Sequence, residues 1–391
     1  MVNEQDGRLM PLWTRDFISI TIINFLIFFS FQMLQPTLPI YVKQLGGGDT
    51  IIGLTAGMFT ISALLTRPYA GLKLDLIGRK TVFLVGIGIC IISILSYSLF
   101  PIIGLVIVFR LLHGFGWGAS STASNTIASD CIPRERFGEG MGYFSLSSSL
   151  AMAIAPATGL TLISKCNIHI LFFTSTGLIL LVFLLVCFRQ YKKIDPTQTV
   201  KVEKRALYEK SSIRPAIVIF FVAITYGALT SFIALYAAER GISNIGLFFM
   251  IYAISLILSR PGLGKLNDRF GSNCIMIPGL ILIVIAMVLL SQATTQFLFF
   301  LVAFIYGVGF GAAQTTMQTM AVANVDPWRR GAANATFFTG FDSGIGLGAM
   351  CLGAVASHWG YSMMYLWSAG SIAIAFILYF LMTKKIIYNA K

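Results

Sequence analysis

The chain is short of charge. Asp, Glu, Lys and Arg together make up 11% of its 391 residues, against 57% hydrophobic, so no water-facing surface can be built over a chain of this length. Histidine is scarce too: none of His113, His169 and His358 has an acid four or five residues later, which leaves an integral-membrane enzyme without paired catalytic groups. A phosphate-cradling Gly-Lys-Ser/Thr loop is missing, which removes ATP as a source of work. The six cysteines are scattered without metal-ligand spacing, so neither disulfides, a metal nor another cofactor is expected. No small-residue cleavage site follows residues 1–16, and the first apolar run is expected to direct insertion itself.

What is present in abundance is apolar sequence in runs of about 20 residues, the length that crosses a bilayer as a helix. Twelve are predicted, at 17–38, 50–70, 81–99, 102–128, 140–163 and 168–188, then 215–237, 245–263, 274–290, 296–322, 332–356 and 362–382. They lack the alternation of lipid-facing and polar residues that transmembrane strands need. The expected fold class is therefore an all-α, multi-pass membrane protein.

The formal charge of +13 is a topology signal rather than a nucleic-acid footprint. Of the 28 Lys and Arg, 24 fall at the termini, in the loops leading from even to odd spans, or at the adjoining helix ends. The opposite side holds Lys43, Lys165 and Arg240, and Arg110 is intramembrane. The bias predicts a cell-membrane protein with both termini cytoplasmic, its basic ends in contact with lipid headgroups.

One stretch occurs twice. Arg67-Pro68, Gly71, Asp75 and Gly78 reappear 193 residues later as Arg260-Pro261, Gly264, Asp268 and Gly271. A displacement near half the chain length implies two copies of one plan: a six-helix half at 1–188, a polar basic linker at 189–214 able to form a surface helix, and a second half at 215–391. Parallel repeats of this kind are related by an axis along the membrane normal, with substrate held between them near the midplane.

The first copy continues to Gly78-Arg79-Lys80 and resembles the signature between helices 2 and 3 of the major facilitator superfamily. It departs from the usual pattern at Lys73 and Leu76, while the second copy keeps Asp268-Arg269 but lacks the basic pair after Gly271. The resemblance implies that Gly71, Asp75, Gly78, Arg79, Lys80, Gly264, Asp268, Arg269 and Gly271 form a conformational gate, locking one state by contact with the opposite half. In the fourth span, Arg110, Gly114, Gly116 and Gly118 resemble the superfamily motif associated with proton-coupled members. The tenth span repeats the glycines at Gly307, Gly309 and Gly311 but has Ala303 in place of Arg110, so the packing plan does not require the charge. The fifth span, with Gly142, Ala151, Ala155, Pro156 and Gly159, keeps the spacing of the superfamily's exporter pattern with some glycines replaced. Small residues and a proline there suggest a close, kinked seam between the halves.

Polar residues inside the spans are the remaining clues, because each needs a partner or water. Asp342 is the one acid well inside a predicted span, roughly 15 Å beyond the Arg329-Arg330 anchor at helical rise. A carboxylate at that depth must take up a proton or find a cation, and Asp342 with Arg110 is the expected proton-coupling pair. A purely structural role, bonding to the glycine-rich backbone nearby, is the competing reading. The resemblance implies a cavity lined by helices 1, 4, 7 and 10, hence by Asn24, Gln32, Gln35, Arg110, His113, Trp117, Tyr226, Gln314 and Gln318. Bonds from these amides to neighbouring helices would be an equally good account.

The expectation is a proton-coupled efflux antiporter, exporting a small organic compound such as a drug or metabolite by alternating access. The alternative is a proton-coupled uptake symporter for a sugar or nutrient. Its partners would be that substrate, protons and lipid; the sequence has no signature of oligomerisation, and the resemblance implies a monomer.

Overall fold

A computed structural model describes residues 11–133, 136–189, 208–323, 325 and 330–389, without the side chains of 75, 137–138, 259–270, 330–331 and 382–389. Among the described residues there is no strand. The helices are α1 (Arg15–Gln44), α2 (Asp49–Ile77), α3 (Arg79–Leu99), α4 (Ile103–Cys131), α5 (Phe137–Lys165) and α6 (Ile168–Cys187). A 3-10 turn at Lys210–Ser212 leads into α7 (Ile213–Glu239), followed by α8 (Gly246–Phe270), α9 (Asn273–Ser291), α10 (Gln296–Ala323) and α11 (Arg330–Asn389). The central linker, where a surface helix was expected, lies outside the described residues.

Ten of these helices are long and apolar enough to cross a membrane, and the side-chain-described part of α8 adds a shorter apolar stretch, Gly246–Leu258. The chain is a multi-pass membrane protein. The two C-terminal runs predicted from sequence are joined in α11, whose apolar part, Ala332–Leu381, would be about 75 Å long if straight, over twice a hydrocarbon core of about 30 Å. It is not one helix. At Gly360 the backbone takes φ 76° and ψ 170°, which splits α11 into two arms.

Tight connections use glycine where the backbone turns left-handed. Gly78 (φ 101°) and Gly271 (φ 80°), 193 residues apart, end α2 and follow α8. Any Cβ there would strain the turn, which explains why both copies of the repeated stretch keep this residue. We refer to the two ends of the bundle as the Gly46 end, with the α1–α2 connection and the Gly360 break, and the Gly78 end, with the α2–α3 connection.

The repeat extends to packing. A Cβ on Gly114 in α4 would run into Ser62 and the Phe59 carbonyl of α2, and one on Gly307 in α10 would run into Ser255 and the Tyr252 carbonyl of α8. Gly116 opposes Gly86 of α3 just as Gly309 opposes Gly279 of α9. Each pair in one set is the other displaced by 193 positions, so the same small-residue faces seat α4 between α2 and α3 and α10 between α8 and α9. The helices up to α6 pack mainly on one another, as do those from α7 onward. Contact between the two groups runs chiefly along α2 with α11 and α5 with α8.

Candidate functional site

The α2–α11 seam is the best-defined feature between the two groups. Starting at the Gly46 end, the Tyr361 hydroxyl donates to Asp49 Oδ1 at 2.7 Å, and the Thr50 and Ser357 hydroxyls are 3.0 Å apart. One turn further, Gly53 lies against the Ala349 and Met350 backbone and Gly353 against Asp49, so the two helices touch main chain to main chain. Gly57 then meets Met350, and Gly346 meets Thr60. This antiparallel register carries on to Arg67, whose Nη2 donates to Asp342 Oδ2 in an ion pair. Their side chains are 20% and 32% exposed, so the pair is only partly buried. Closer to the Gly78 end the seam loosens: Gly71 has nothing within 4 Å of where a Cβ would sit. The seam is therefore shut at the Gly46 end, with the ion pair between it and the uncrowded Gly71.

The partner expected for Asp342 was Arg110, and this is corrected. Arg110 lies seven residues into α4, about 10 Å from the Gly46 end at helical rise, while Asp342 lies twelve residues into α11, about 18 Å from the opposite end. The two are at different depths on different helices, and the register of α2 against α11 delivers Arg67 instead. The repeated Arg-Pro pair was visible in sequence, but nothing local said that its arginine would face an acid 275 residues away.

Arg110 sits elsewhere, in an aromatic nest. Its guanidinium carbon is 4.3 Å from the Phe59 ring centre and 5.8 Å from that of Phe31, with the Tyr97 hydroxyl beside it. Phe31 stacks on Trp117 at 4.2 Å and on Phe59 at 4.8 Å. His113 stands edge-on to Phe59 at 5.4 Å, its Nδ1 3.2 Å from the Tyr97 hydroxyl. A second nest forms from Tyr226, Tyr252, Tyr306, Phe310 and Phe341, with Tyr226 stacked on Phe310 at 5.1 Å and Tyr306 on Phe310 at 5.4 Å. Phe59, His113 and Trp117 become Tyr252, Tyr306 and Phe310 under the 193-residue displacement, so the nests are equivalent, one bearing a cation and the other phenols. Phe31, Phe59 and Tyr252 were missed in sequence because a lone aromatic in an apolar run has no signature. The aromatic-for-aromatic match at 59 and 252 could have revealed the last two.

A family profile described as the Major Facilitator Superfamily matches residues 20–325 and 215–387. The chain belongs to the major facilitator superfamily. It is thus a transporter and not an enzyme. It is 25% identical over 381 residues, 92% of each chain, to the multidrug resistance protein MdtG of Escherichia coli strain K12 and of strain O17:K52:H18. Its fold matches the nucleoside transporter NupG (TM-score 0.74, 17% identity, 94% of this chain and 99% of that one). It also matches a bacterial homologue of the human lysosomal transporter Spinster in an inward-facing, unoccupied conformation (TM-score 0.76, 16% identity, 98% and 99%).

The remaining sequence-predicted residues divide by what they touch. Asn24 is spoken for: its Nδ2 donates to Ser147 at 2.9 Å and its Oδ1 accepts from Ser124 at 3.2 Å, clasping α1, α5 and α4. Gln32 Oε1 and the Tyr226 hydroxyl are buried without a hydrogen-bond partner. Gln35 and Gln318 are half-buried. Gln314 lines a small cavity with Ser149, Met152, Tyr252 and Leu256, between α5, α8 and α10.

The gate residues that are described bind within their own group of helices. Arg79 Nε donates to Asp130 at 3.1 Å and its Nη1 to the Leu74 carbonyl at 2.9 Å. Lys80 donates to the Cys187 carbonyl at 2.6 Å, capping α6. Gly271 marks the equivalent turn, while the side chains of Asp75, Asp268 and Arg269 and the surroundings of Gly264 lie outside the description. The fifth-span pattern is split between two faces, which corrects the single seam expected of it. Gly159 lies against the Met33 carbonyl of α1, while Ala157 and Leu160 face Gly246 of α8. Ala151, Ala155 and Pro156 are buried, and Gly142 meets nothing. A helix 29 residues long touches more than one neighbour, so a motif spread along it is divided between interfaces.

Proposed function

We propose that this transporter is a proton-coupled efflux antiporter of twelve crossings, two six-helix halves working by alternating access, and that Asp342 is the residue that takes up the proton. The observation that carries the proposal is the Arg67–Asp342 ion pair bridging α2 and α11. Placing the basic ends in the cytoplasm makes the Gly78 end the inner one, so the state described is shut outward. In it Asp342 holds Arg67 as an anion, which is the proton-released form. The pair then acts as a lock: an empty carrier cannot return outward until a proton neutralises Asp342 or substrate displaces the bridge.

Protonation removes the ionic attraction across the seam, and the halves rock. The Asp49–Tyr361 and Thr50–Ser357 contacts part, and the Gly71–Lys80 stretch closes on the opposite half, the gate role implied for it. Coupling follows because an unprotonated, unloaded transporter is held in one state. Export is favoured over uptake by the spacing kept in α5 and by the name of MdtG. Uptake by symport is the second reading, favoured by the glycines lost at Ala151 and Ala155.

The test uses purified protein in liposomes with an imposed pH gradient, an internal pH dye and a mixed panel of aromatic drugs and metabolites. Proton movement opposite to substrate, abolished in Asp342→Asn, is the expected result. Movement in the same direction would establish symport, and an unaffected variant would return Asp342 to a structural role.

A further inference from the structure

Arg110, hydrogen-bonded to the Tyr97 hydroxyl, carries a charge that the fold satisfies only in part. It is 2% exposed, yet its Nε and Nη1 have no hydrogen-bond partner. Among the described residues no acid pairs with it, and the membrane-embedded Asp342 is taken by Arg67. A buried guanidinium without an anion is costly, and cation–π contact with Phe59 and Phe31 offsets only part of that cost. Packing does not require it either, because Ala303, fully buried, occupies the equivalent position in α10 beside the same glycine contacts. Gln32 Oε1, on the helix that supplies Phe31, is a buried acceptor without a donor.

We infer that the Arg110 nest is the anion-recognising half of the substrate site, and that the transported compounds are aromatic molecules bearing a carboxylate or a similar single anionic group. The anion meets Arg110, the ring of the ligand stacks among Phe31, Phe59 and Trp117, and a ligand N–H or O–H donates to Gln32. To admit the anion, Phe59 leaves the guanidinium face, exchanging a cation–π contact for a stronger charge-assisted hydrogen bond. The phenolic nest around Tyr226 takes the uncharged end. This deepens the transport reading, resting on it for the use of the site but not for binding.

The experiment is equilibrium binding by calorimetry in detergent micelles, without a proton gradient, using naphthoate, neutral naphthamide and naphthylmethylammonium. Wild type should bind naphthoate about tenfold or more tighter than naphthamide and the ammonium compound weakest. Arg110→Gln should bring naphthoate down to the affinity of naphthamide, whose retained binding reports a folded site. Arg110→Lys should keep the order of preference at reduced size, and it serves as the test if Arg110→Gln does not fold. No binding of naphthoate, equal affinity for naphthoate and naphthamide, preference for the ammonium compound, or a carboxylate preference untouched by Arg110→Gln would overturn the inference. Absence of proton coupling in wild type with this preference intact would sink the coupling proposal alone, and the converse would sink only the anion site.

Discussion

At the scale of single residues, charge placement inside the bundle was partly legible. Asp342 stood out in sequence because an acid in an apolar span is rare. Its partner did not, since the register that brings Arg67 to it is set by Gly53, Gly57, Thr60 and Gly346, whose contacts are tertiary. The amides show the same limit from the other side: Asn24 and Gln32 look alike in sequence, yet one is bonded at both ends and the other has a bare carbonyl. Removing one member of the Arg67–Asp342 pair should therefore cost more than removing both. Arg67→Gln or Asp342→Asn is expected to lower stability by about 1–3 kcal/mol, less than for a fully buried pair because this one is partly exposed. The double variant should be no worse than the poorer single one. Thermal unfolding in micelles checks it, and additive losses would mean that the two side chains do not act as a pair.

At the scale of elements, glycine decides where helices touch and turn. Gly114→Ala would push a methyl group into Ser62 and the Phe59 carbonyl, a cost of about 1–3 kcal/mol, with Gly307→Ala matching it in α10. Shortening the obstacle with Ser62→Ala should recover part of the loss. Gly71→Ala is different: nothing stands in the way here, so stability should hold while transport slows, because the closure that this stretch is proposed to make belongs to the other state. Full activity of Gly71→Ala would remove it from the gate. The repeated hairpins and glycine ladders were readable because backbone geometry limits the choice of residue at those points. The α5 motif was not, because spacing along a helix does not say which neighbour each face will meet.

For the whole molecule, the claim is that the two groups of helices rock about a seam now shut at the Gly46 end. Thr50 and Ser357 face each other across it with hydroxyls 3.0 Å apart, close enough for a disulfide if both are replaced by cysteine. With the native exposed cysteines Cys166, Cys274 and Cys351 replaced, oxidation of Thr50→Cys/Ser357→Cys should abolish transport and reduction should restore it. Unchanged transport in the oxidised protein would mean that the Gly46 end need not open. The repeat and the apolar runs made the architecture legible at this scale; the state of the seam was not, because two conformations share one sequence and differ only in which contacts are made.

The distance across the Gly46 end, read from spin labels on α2 and α11 in lipid nanodiscs, should report the lock in wild type and Asp342→Asn over a range of pH. If the Arg67–Asp342 pair is the lock, acidification should move wild type from a narrow to a mixed narrow and wide distribution. Asp342→Asn should show the mixed distribution at every pH. The same pH dependence in both proteins would contradict the account, since a residue other than Asp342 would then be taking up the proton that opens the seam.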